Sequence, residues 1–417
     1  MNIGIVGLGD MGKLYAREFS SIGHEVSGCD LPENIDRIKE EFGTRINIVN
    51  AEDICRESEL IIYSVQAHNI HETVRQYGPL TRRGAIVAGQ TSVKTPEIEA
   101  FEKYLPRETH IVTCHSLHGG SVSPVGQNLV LINHRSSREA YNLARETFET
   151  LGSRIIEISD YKVHDRITAD TQAVTHIGFE SMGSAWMNAG FYPWENPAYI
   201  GGIDNVKILM TLRIFGGKSH VYSGLAMLNP FAINQIGQYA KSEADIFRLM
   251  IKEDEKALRS RLKEASDLIF GNKNSPIMLE DKIMGDFNLG ARNERKQNSH
   301  LSLLTMVDAW HKLRVNPYNN LICQTPLFKL RLGIAEYLFR DNGLLEESIN
   351  AALFDRSIRA DDLEFHDAVK QWASIVKKMD SDSYTRQFYE TKEFFRDKIS
   401  EGMKRSSELI TRLVKSN

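Results

Sequence analysis

The sequence predicts a doubly wound α/β nucleotide-binding domain followed by an all-α domain. Three observations carry this reading. The chain opens on a short apolar stretch that runs into a glycine-rich turn and then a helix-forming stretch. Up to about residue 160, continuous apolar runs alternate with amphipathic helical patterns. Beyond that point strand signals stop, and helical periodicity continues to the end of the 417 residues.

The first element is the apolar stretch containing Ile3, Ile5 and Val6. It leads into Gly7-Leu8-Gly9-Asp10-Met11-Gly12, and a helical run over 13–19 follows. This is the context in which a GxGxxG fingerprint is informative. Gly7 permits the tight turn, Gly9 lets the backbone approach a pyrophosphate, and Gly12 lets the helix pack against the strand. The helix N-terminus offers unpaired N–H groups to the phosphates. A second strand over 25–29 ends at Asp30, in the window for a hydrogen bond to the adenosine ribose. The turn, with Leu8, Asp10 and Met11 between its glycines, and Asp30 are therefore the expected dinucleotide contacts of a Rossmann-type domain.

The remaining elements of this half follow in order. A charged helix is expected over 34–42. Strands are expected over 60–65, 85–89, 109–114, 128–132 and 154–158, each an apolar run of the kind found where both sheet faces are covered. The stretches 71–77, 96–104 and 138–151 read as helices. The nucleotide domain is placed at 1–160 and a helical substrate and dimerisation domain at 161–417. Within the latter, 163–188 reads as one long helix, and 203–241 as helical with breaks at Gly216-Gly217 and Pro230. A charged amphipathic helix is expected over 242–270, and further helices over 301–313, 325–339, 344–352 and 383–415. The polar stretch 271–297 reads as a surface loop.

Bulk properties narrow the function. A net charge of −4 argues against nucleic acid as the main partner. No apolar run approaches the ~18 residues of a membrane span. Cys29, Cys55, Cys114 and Cys323 show neither CxxC pairing nor metal-ligand spacing, so no metal site is expected and free thiols in a reducing cytoplasm are. The chain starts directly on a core strand, which is read as the absence of a targeting peptide.

In doubly wound sheets ligands bind beyond the carboxyl ends of the strands, and three clusters lie there or just after. Gln90-Thr91-Ser92-Val93-Lys94 follows the strand over 85–89. Cys114-His115-Ser116-Leu117-His118 closes the strand over 109–114. His164-Asp165-Arg166 and then Gln172 and His176 lie on the first long helix. His115 is the expected base: a neutral imidazole suits the proton lost by a hydroxyl undergoing oxidation. His118 is a second candidate for that role. Ser92 can bond the same hydroxyl or a nicotinamide amide, or cap the next helix. Lys94 reads as a solvated charge, Cys114 as a buried inert thiol, and His164 as structural, pairing across the domain junction or capping. Gln172 and His176, four apart, share a helix face and read as a pocket wall. Arg213, set among apolar residues, is paired internally or meets a carboxylate, with Lys218 and His220 as further cationic candidates.

Taken together, the strings GLGDMG (7–12), YSVQAHNI (63–70), GQTSVK (89–94), CHSLHGG (114–120), ITADTQAVTH (167–176), HVYSGLAMLNP (220–230), NSHLSLLTMVDAW (298–310) and TPLFKLRLGIAEYLF (325–339) resemble prephenate dehydrogenase, of the fungal type that serves tyrosine biosynthesis. The resemblance covers nearly the whole chain. It implies a C-terminal half like that of 6-phosphogluconate dehydrogenase, a cytoplasmic homodimer, and oxidative decarboxylation of prephenate to 4-hydroxyphenylpyruvate. It also implies His115 as the catalytic histidine, Ser92 as the active-site serine, and Gln172 with His176 as the pocket pair. Where bacterial relatives place an arginine shortly before Asp-Pro, this chain has Asn229-Pro230 after a stretch without arginine. A substrate carboxylate must then be met by Arg213, Lys218 or His220.

On cofactor choice the two lines of reasoning diverge. An acid at Asp30 with no arginine in Leu31-Pro32-Glu33 selects a free ribose 2′-hydroxyl, hence NAD. The resemblance implies NADP, which is favoured. Two alternatives are an arogenate or β-hydroxyacid-type dehydrogenase of the same plan, and a nucleotide-sensing protein that retains the fold without turnover.

Overall fold

The computed structural model describes residues 1–120, 122–271, 279, 289, 296–323 and 325–416. Most of the expected surface loop at 271–297 thus lies outside the described residues, as does the side chain of Cys323. The chain divides into two compact units. One comprises Met1–Thr168 with Leu228–Pro230, the other Ala169–Met227 with Phe231–Asn417.

The first unit is built on one eight-stranded sheet. Its strands are β1 Asn2–Val6, β2 Glu25–Cys29, β3 Asn47–Ile48, β4 Leu60–Tyr63, β5 Ile86–Gly89, β6 His110–Ser116, β7 Asn128–Arg135 and β8 Arg154–Ile158. The order is β3-β2-β1-β4-β5-β6-β7-β8. Strands β1 to β6 run parallel, as the apolar runs predict. The last two are reversed: β7 is antiparallel to β6, and β8 is parallel to β7. The reason is local. A parallel crossover needs a dozen or more residues, usually a helix, and the described residues of 117–127 contain none.

Helices cover both faces. They are α1 Asp10–Ile22, α2 Pro32–Phe42, α3 Ala51–Glu57, α4 Ile70–Tyr77, α5 Thr95–Tyr104, α6 Arg138–Glu149 and α7 Tyr161–Thr168. Alternation along the strands separates two cores. Ile3, Ile5, Leu60 and Ile62 pack with Phe19 and Phe148 on one face. Val6, Ile61 and Tyr63 pack with Phe101 on the other. Two elements lie beyond what the sequence patterns predict. β3 is only two residues long, too short for a pattern. α3 is seven residues long and is opened by Asn50, whose side chain accepts from the Asp53 N–H at 2.8 Å.

The second unit contains helices and no strand among its described residues. It begins with a π-helical segment, Ala169–Val174, that passes into the helix Thr175–Ala189. The single long helix expected over 163–188 is therefore α7, a π turn and an α-helix in succession. Every residue from Thr175 to Trp186 is buried, so this stretch has no solvent-exposed face and forms the centre of its unit. Helices Gly202–Phe215, Ser219–Met227 and Ala232–Ile251 follow, broken at Gly216-Gly217 and at Pro230 as expected.

The charged stretch expected as one helix is divided after Ile251. Glu253 turns into the left-handed region (φ 52°), and Asp254 caps the next helix, Glu255–Phe270, by accepting from the Ala257 N–H. Helices Leu301–Leu313, Pro326–Arg340, Asn342–Phe354, Arg356–Lys377, Ser381–Phe394 and Arg396–Ser416 complete the unit. The last of these lies on Gly202–Phe215, with Gly402 against Leu212 and Met403 against Gly216. No helix among the described residues is long and apolar enough to cross a membrane.

Candidate active site

The glycine turn has the geometry its sequence requires. Gly7 has φ 98°, and a side chain there would strike the Ser64 carbonyl. A Cβ on Gly12 would collide with the Gly7 carbonyl. Gly9, by contrast, has open space around its Cα and occupies the N-cap of α1 without a side chain to fill it. A pyrophosphate can therefore approach the first turn of α1. Leu8 contributes backbone only, because its side chain is buried in the core, whereas Asp10 is exposed and Met11 half-buried.

Asp30 follows the last residue of β2 and is held there by three donors. Its Oδ2 accepts from the Leu8 N–H at 2.6 Å. Its Oδ1 accepts from the Leu31 N–H at 2.8 Å and from Asn34 Nδ2 at 2.7 Å. The carboxylate thus ties the glycine turn to the end of β2.

His115 lies on β6 and is almost fully buried. Its Nδ1 is 2.8 Å from His164 Nε2, and His164 Nδ1 is 2.9 Å from Asp165 Oδ1. Asp165 also accepts from the Lys94 N–H at 2.8 Å, and from the Thr95 N–H and hydroxyl, each at 2.7 Å. Burial pushes the Asp165 carboxyl up, but its bond to His164 and these further donors bring it below its ordinary value. An ionised Asp165 accepts only, so the His164 proton sits on Nδ1 and leaves Nε2 as an acceptor. His115 must then donate from Nδ1, which leaves its Nε2 with a lone pair. Burial, followed by the neighbouring His164, Lys94 and His118, holds His115 well below the usual imidazole range. It is neutral near pH 7 and poised as a proton acceptor.

His164, expected to be structural and to pair across the domain junction or cap, pairs instead within the sheet-based unit. Its partner is the candidate base itself, so it belongs to the site. Lys94 is placed otherwise than its sequence suggests. It is fully buried rather than solvated, and its Nζ donates to the carbonyls of Cys114 (2.6 Å) and Gly89 (3.1 Å) and to both oxygens of buried Glu97 (3.0 and 3.1 Å). The carboxylate three residues on supplies the counter-charge that burial demands. Ser92 is half-buried and does not cap α5, whose N-cap position is Lys94. His118 is half-buried, with Nδ1 3.1 Å from the Gly119 carbonyl. Cys114 is inert, since burial pushes its thiol up to about 12. Asn229 is buried and donates to the Asp165 carbonyl at 2.7 Å and to Thr168 Oγ1 at 3.2 Å.

In the helical unit Gln172 and His176 are both buried. Gln172 Nε2 and His176 Nδ1 have no hydrogen-bond partner among the described residues. Burial, and then the charge of Arg331, lowers His176 to about 3, so its ring is neutral. Tyr222 stands edge-on to that ring, with centroids 4.8 Å apart. Arg213 Nη1 donates to the hydroxyls of Ser406 (3.2 Å) and Ser407 (3.0 Å), both uncharged. Lys218 is exposed, and His220 is half-buried on the helix that carries Tyr222. Glu180, one turn beyond His176, accepts from the Tyr384 hydroxyl at 2.8 and 2.9 Å. Burial raises its carboxyl to about 8.

Sequence reasoning assigns no part to Asp165, Tyr222, Glu180 or Arg331. For Asp165 a signal exists: it adjoins His164, and an aspartate can cap a neighbouring helix start. The others depend on contacts between distant helices.

Comparison with known proteins places the two halves. Residues 173–415 match a family model for the 6-phosphogluconate dehydrogenase C-terminal domain. Residues 2–88 match the model described as NADP oxidoreductase, coenzyme F420-dependent. The chain is 43% identical to a probable prephenate dehydrogenase [NADP(+)] of Schizosaccharomyces pombe, over 99% of this chain and 98% of the relative. It is 46% identical to the prephenate dehydrogenase [NADP(+)] of Saccharomyces cerevisiae, over 99% and 94%. Among solved structures, prephenate dehydrogenase from Aquifex aeolicus, in complex with hydroxyphenyl propionate and NAD+, shares the fold. The TM-score is 0.51 at 19% identity, over 63% of this chain and 95% of that one.

Proposed function

The chain belongs to the prephenate dehydrogenase family, and from that premise we propose that His115 Nε2 is the base that drives its reaction. Prephenate is oxidised and decarboxylated to 4-hydroxyphenylpyruvate and CO2. NADP, when bound, accepts the hydride from the carbon that bears the ring hydroxyl. The glycine turn fits such a cofactor, as the open space at Gly9 beside the crowded Gly7 and Gly12 indicates.

The single observation that carries the mechanism is the chain from His115 through His164 to Asp165, with distances of 2.8 and 2.9 Å. His115 takes the hydroxyl proton at Nε2 as the C–O bond gains double-bond character. Asp165, through His164, favours the imidazolium that forms. Loss of the ring carboxylate as CO2 leaves its electron pair in the ring, which aromatises to a phenolate. His115 returns the proton to that oxygen, so no net proton is released. Ser92 is assigned a hydrogen bond to the same hydroxyl. Gln172 and His176, neutral and with polar atoms unused, are assigned to the substrate. Arg213, which meets two serines and no carboxylate among the described residues, is assigned to a carboxylate of the substrate, with Lys218 and His220 as further candidates.

The use of NADP is supported by the three donors on Asp30, which make it a brace of the turn rather than a free acceptor for a ribose hydroxyl. We place the enzyme in the cytoplasm as a homodimer. Its buried free thiols at Cys29, Cys55 and Cys114 support a reducing compartment.

The test is absorbance at 340 nm with prephenate and arogenate crossed against NADP and NAD. Turnover is expected with prephenate and NADP. Turnover restricted to arogenate, or a strong preference for NAD, overturns the corresponding assignment.

A further inference from the structure

The π-helical segment Ala169–Val174 is fixed at both ends by side chains from elsewhere in the helical unit. At its start, Asp170 accepts from Trp310 Nε1 at 3.0 Å and from Asn320 Nδ2 at 2.9 Å. At its end, the Val174 carbonyl accepts from Arg331 Nη1 at 2.7 Å. Arg331 is 1% exposed. Its guanidinium lies against the rings of Tyr239 (5.2 Å) and Phe179 (5.7 Å), and it fits because residue 178 is glycine: a Cβ there would collide with it. Gln172 lies midway between the two anchors, and His176 is the second residue of the α-helix that follows.

A buried arginine is a costly way to fill a core. A hydrophobic side chain of similar volume usually serves stability as well or better. Arg331 does something such a side chain cannot. A π turn closes i→i+5 bonds where an α turn closes i→i+4, so it carries one extra residue and is held only where its surroundings require it. Without a donor at Val174, the segment can relax to α-helix by slipping one residue. That slip turns the chain before the segment by roughly 100° about the axis relative to the helix after it, and Gln172, inside the segment, is carried through part of that turn and away from its place among the neighbouring helices.

We propose that Arg331 is a positioning residue for substrate binding: by holding the Val174 carbonyl it locks the π turn and keeps Gln172, four residues before His176, in the place from which it meets the substrate. The proposal rests on the assignment of those two residues to prephenate, and the experiment separates the two.

Three variants are compared with the wild type: Arg331→Met, Arg331→Lys and Gly178→Ala. The last displaces the guanidinium without altering any charge. In Arg331→Met and Gly178→Ala, KM for prephenate is expected to rise by about tenfold or more while KM for NADP stays within about twofold. Arg331→Lys, which retains a cation and a donor, is expected to recover part of the loss. Circular dichroism and NADP affinity report whether each variant is folded. A folded Arg331→Met with unchanged KM for prephenate overturns the proposal. So does loss of the fold in all three variants, which would make Arg331 a core residue alone. Failure of the prior assignment has a different signature: Gln172→Ala and His176→Ala would leave KM for prephenate unaltered in an active enzyme.

Discussion

The side of His115 that carries the proton is decided two side chains away, at Asp165. Asparagine there can turn its amide N–H toward His164 Nδ1, which reverses the donor order along the chain and puts a proton on His115 Nε2. Asp165→Asn is therefore expected to lower kcat by ~10²–10⁴ with KM for NADP unchanged, because a wrong tautomer disables a base as completely as its removal. His115→Asn should fall in the same range. Stopped-flow or steady-state rates at saturating NADP check both, and an Asp165→Asn enzyme with near-normal kcat would refute the tautomer argument. His115 is legible in the sequence as a candidate base because a strand end beside a nucleotide turn is where chemistry gathers. Its partner is not: His164 and His115 are 49 positions apart, and no periodicity reports a pairing between a strand and a later helix. Lys94 misleads for a related reason. A lysine is almost always solvated unless paired, and its partner Glu97 is visible only once the helix start is seen to face inward.

At the scale of elements, long apolar or periodic runs are readable and short or interrupted ones are not. All the strands of more than two residues are expected from the sequence, most of them as apolar runs. Helix Arg356–Lys377 escapes the sequence reading although its pattern is amphipathic, and the helical pattern over 242–270 runs through a break that a single left-handed residue, Glu253, creates. The π turn is invisible, since Gln172 and His176 keep helical spacing across it.

Two predictions belong here. Gly12→Ala sets a methyl group against the Gly7 carbonyl and should displace the α1 N-terminus. NADP at about 100 times the wild-type Kd should stabilise the wild type by roughly 2.7 kcal/mol and this variant far less, as read by thermal denaturation. Retained stabilisation would separate the turn from the cofactor. The second concerns Glu180, raised by burial to about 8 from an ordinary 4.5. Between those values the unfolded chain releases a proton that the fold keeps, so this residue makes stability fall as pH rises from about 4.5 and level off above about 8. Glu180→Gln should flatten that slope and raise Tm by a few degrees at pH 8 relative to pH 5. An unchanged slope would show that the carboxyl ionises freely in the folded state.

For the molecule as a whole, the division into a sheet-based and a helical unit follows from the change in sequence periodicity near residue 160. The contact boundary at Thr168 falls slightly later, because α7 supplies His164 and Asp165 to the sheet. The assignment as a homodimer predicts a solution mass near twice 47.3 kDa by light scattering, and a monomer at micromolar concentration would refute it. What periodicity cannot foretell is that the sheet-based unit is discontinuous: Leu228–Pro230 returns to it, and Asn229 donates to the carbonyl of Asp165 and the hydroxyl of Thr168.

That return has a consequence in time. On the ribosome, Thr168 emerges 61 residues before Asn229 does. At typical elongation rates of about 5–20 residues per second the delay is roughly 3–12 s. During that interval the nascent sheet can be complete while the backbone beneath the chain of His115, His164 and Asp165 still lacks its last donor. A translational pause downstream of residue 230 would let the strap settle before the rest of the helical unit arrives, and a pause upstream would expose it unfinished.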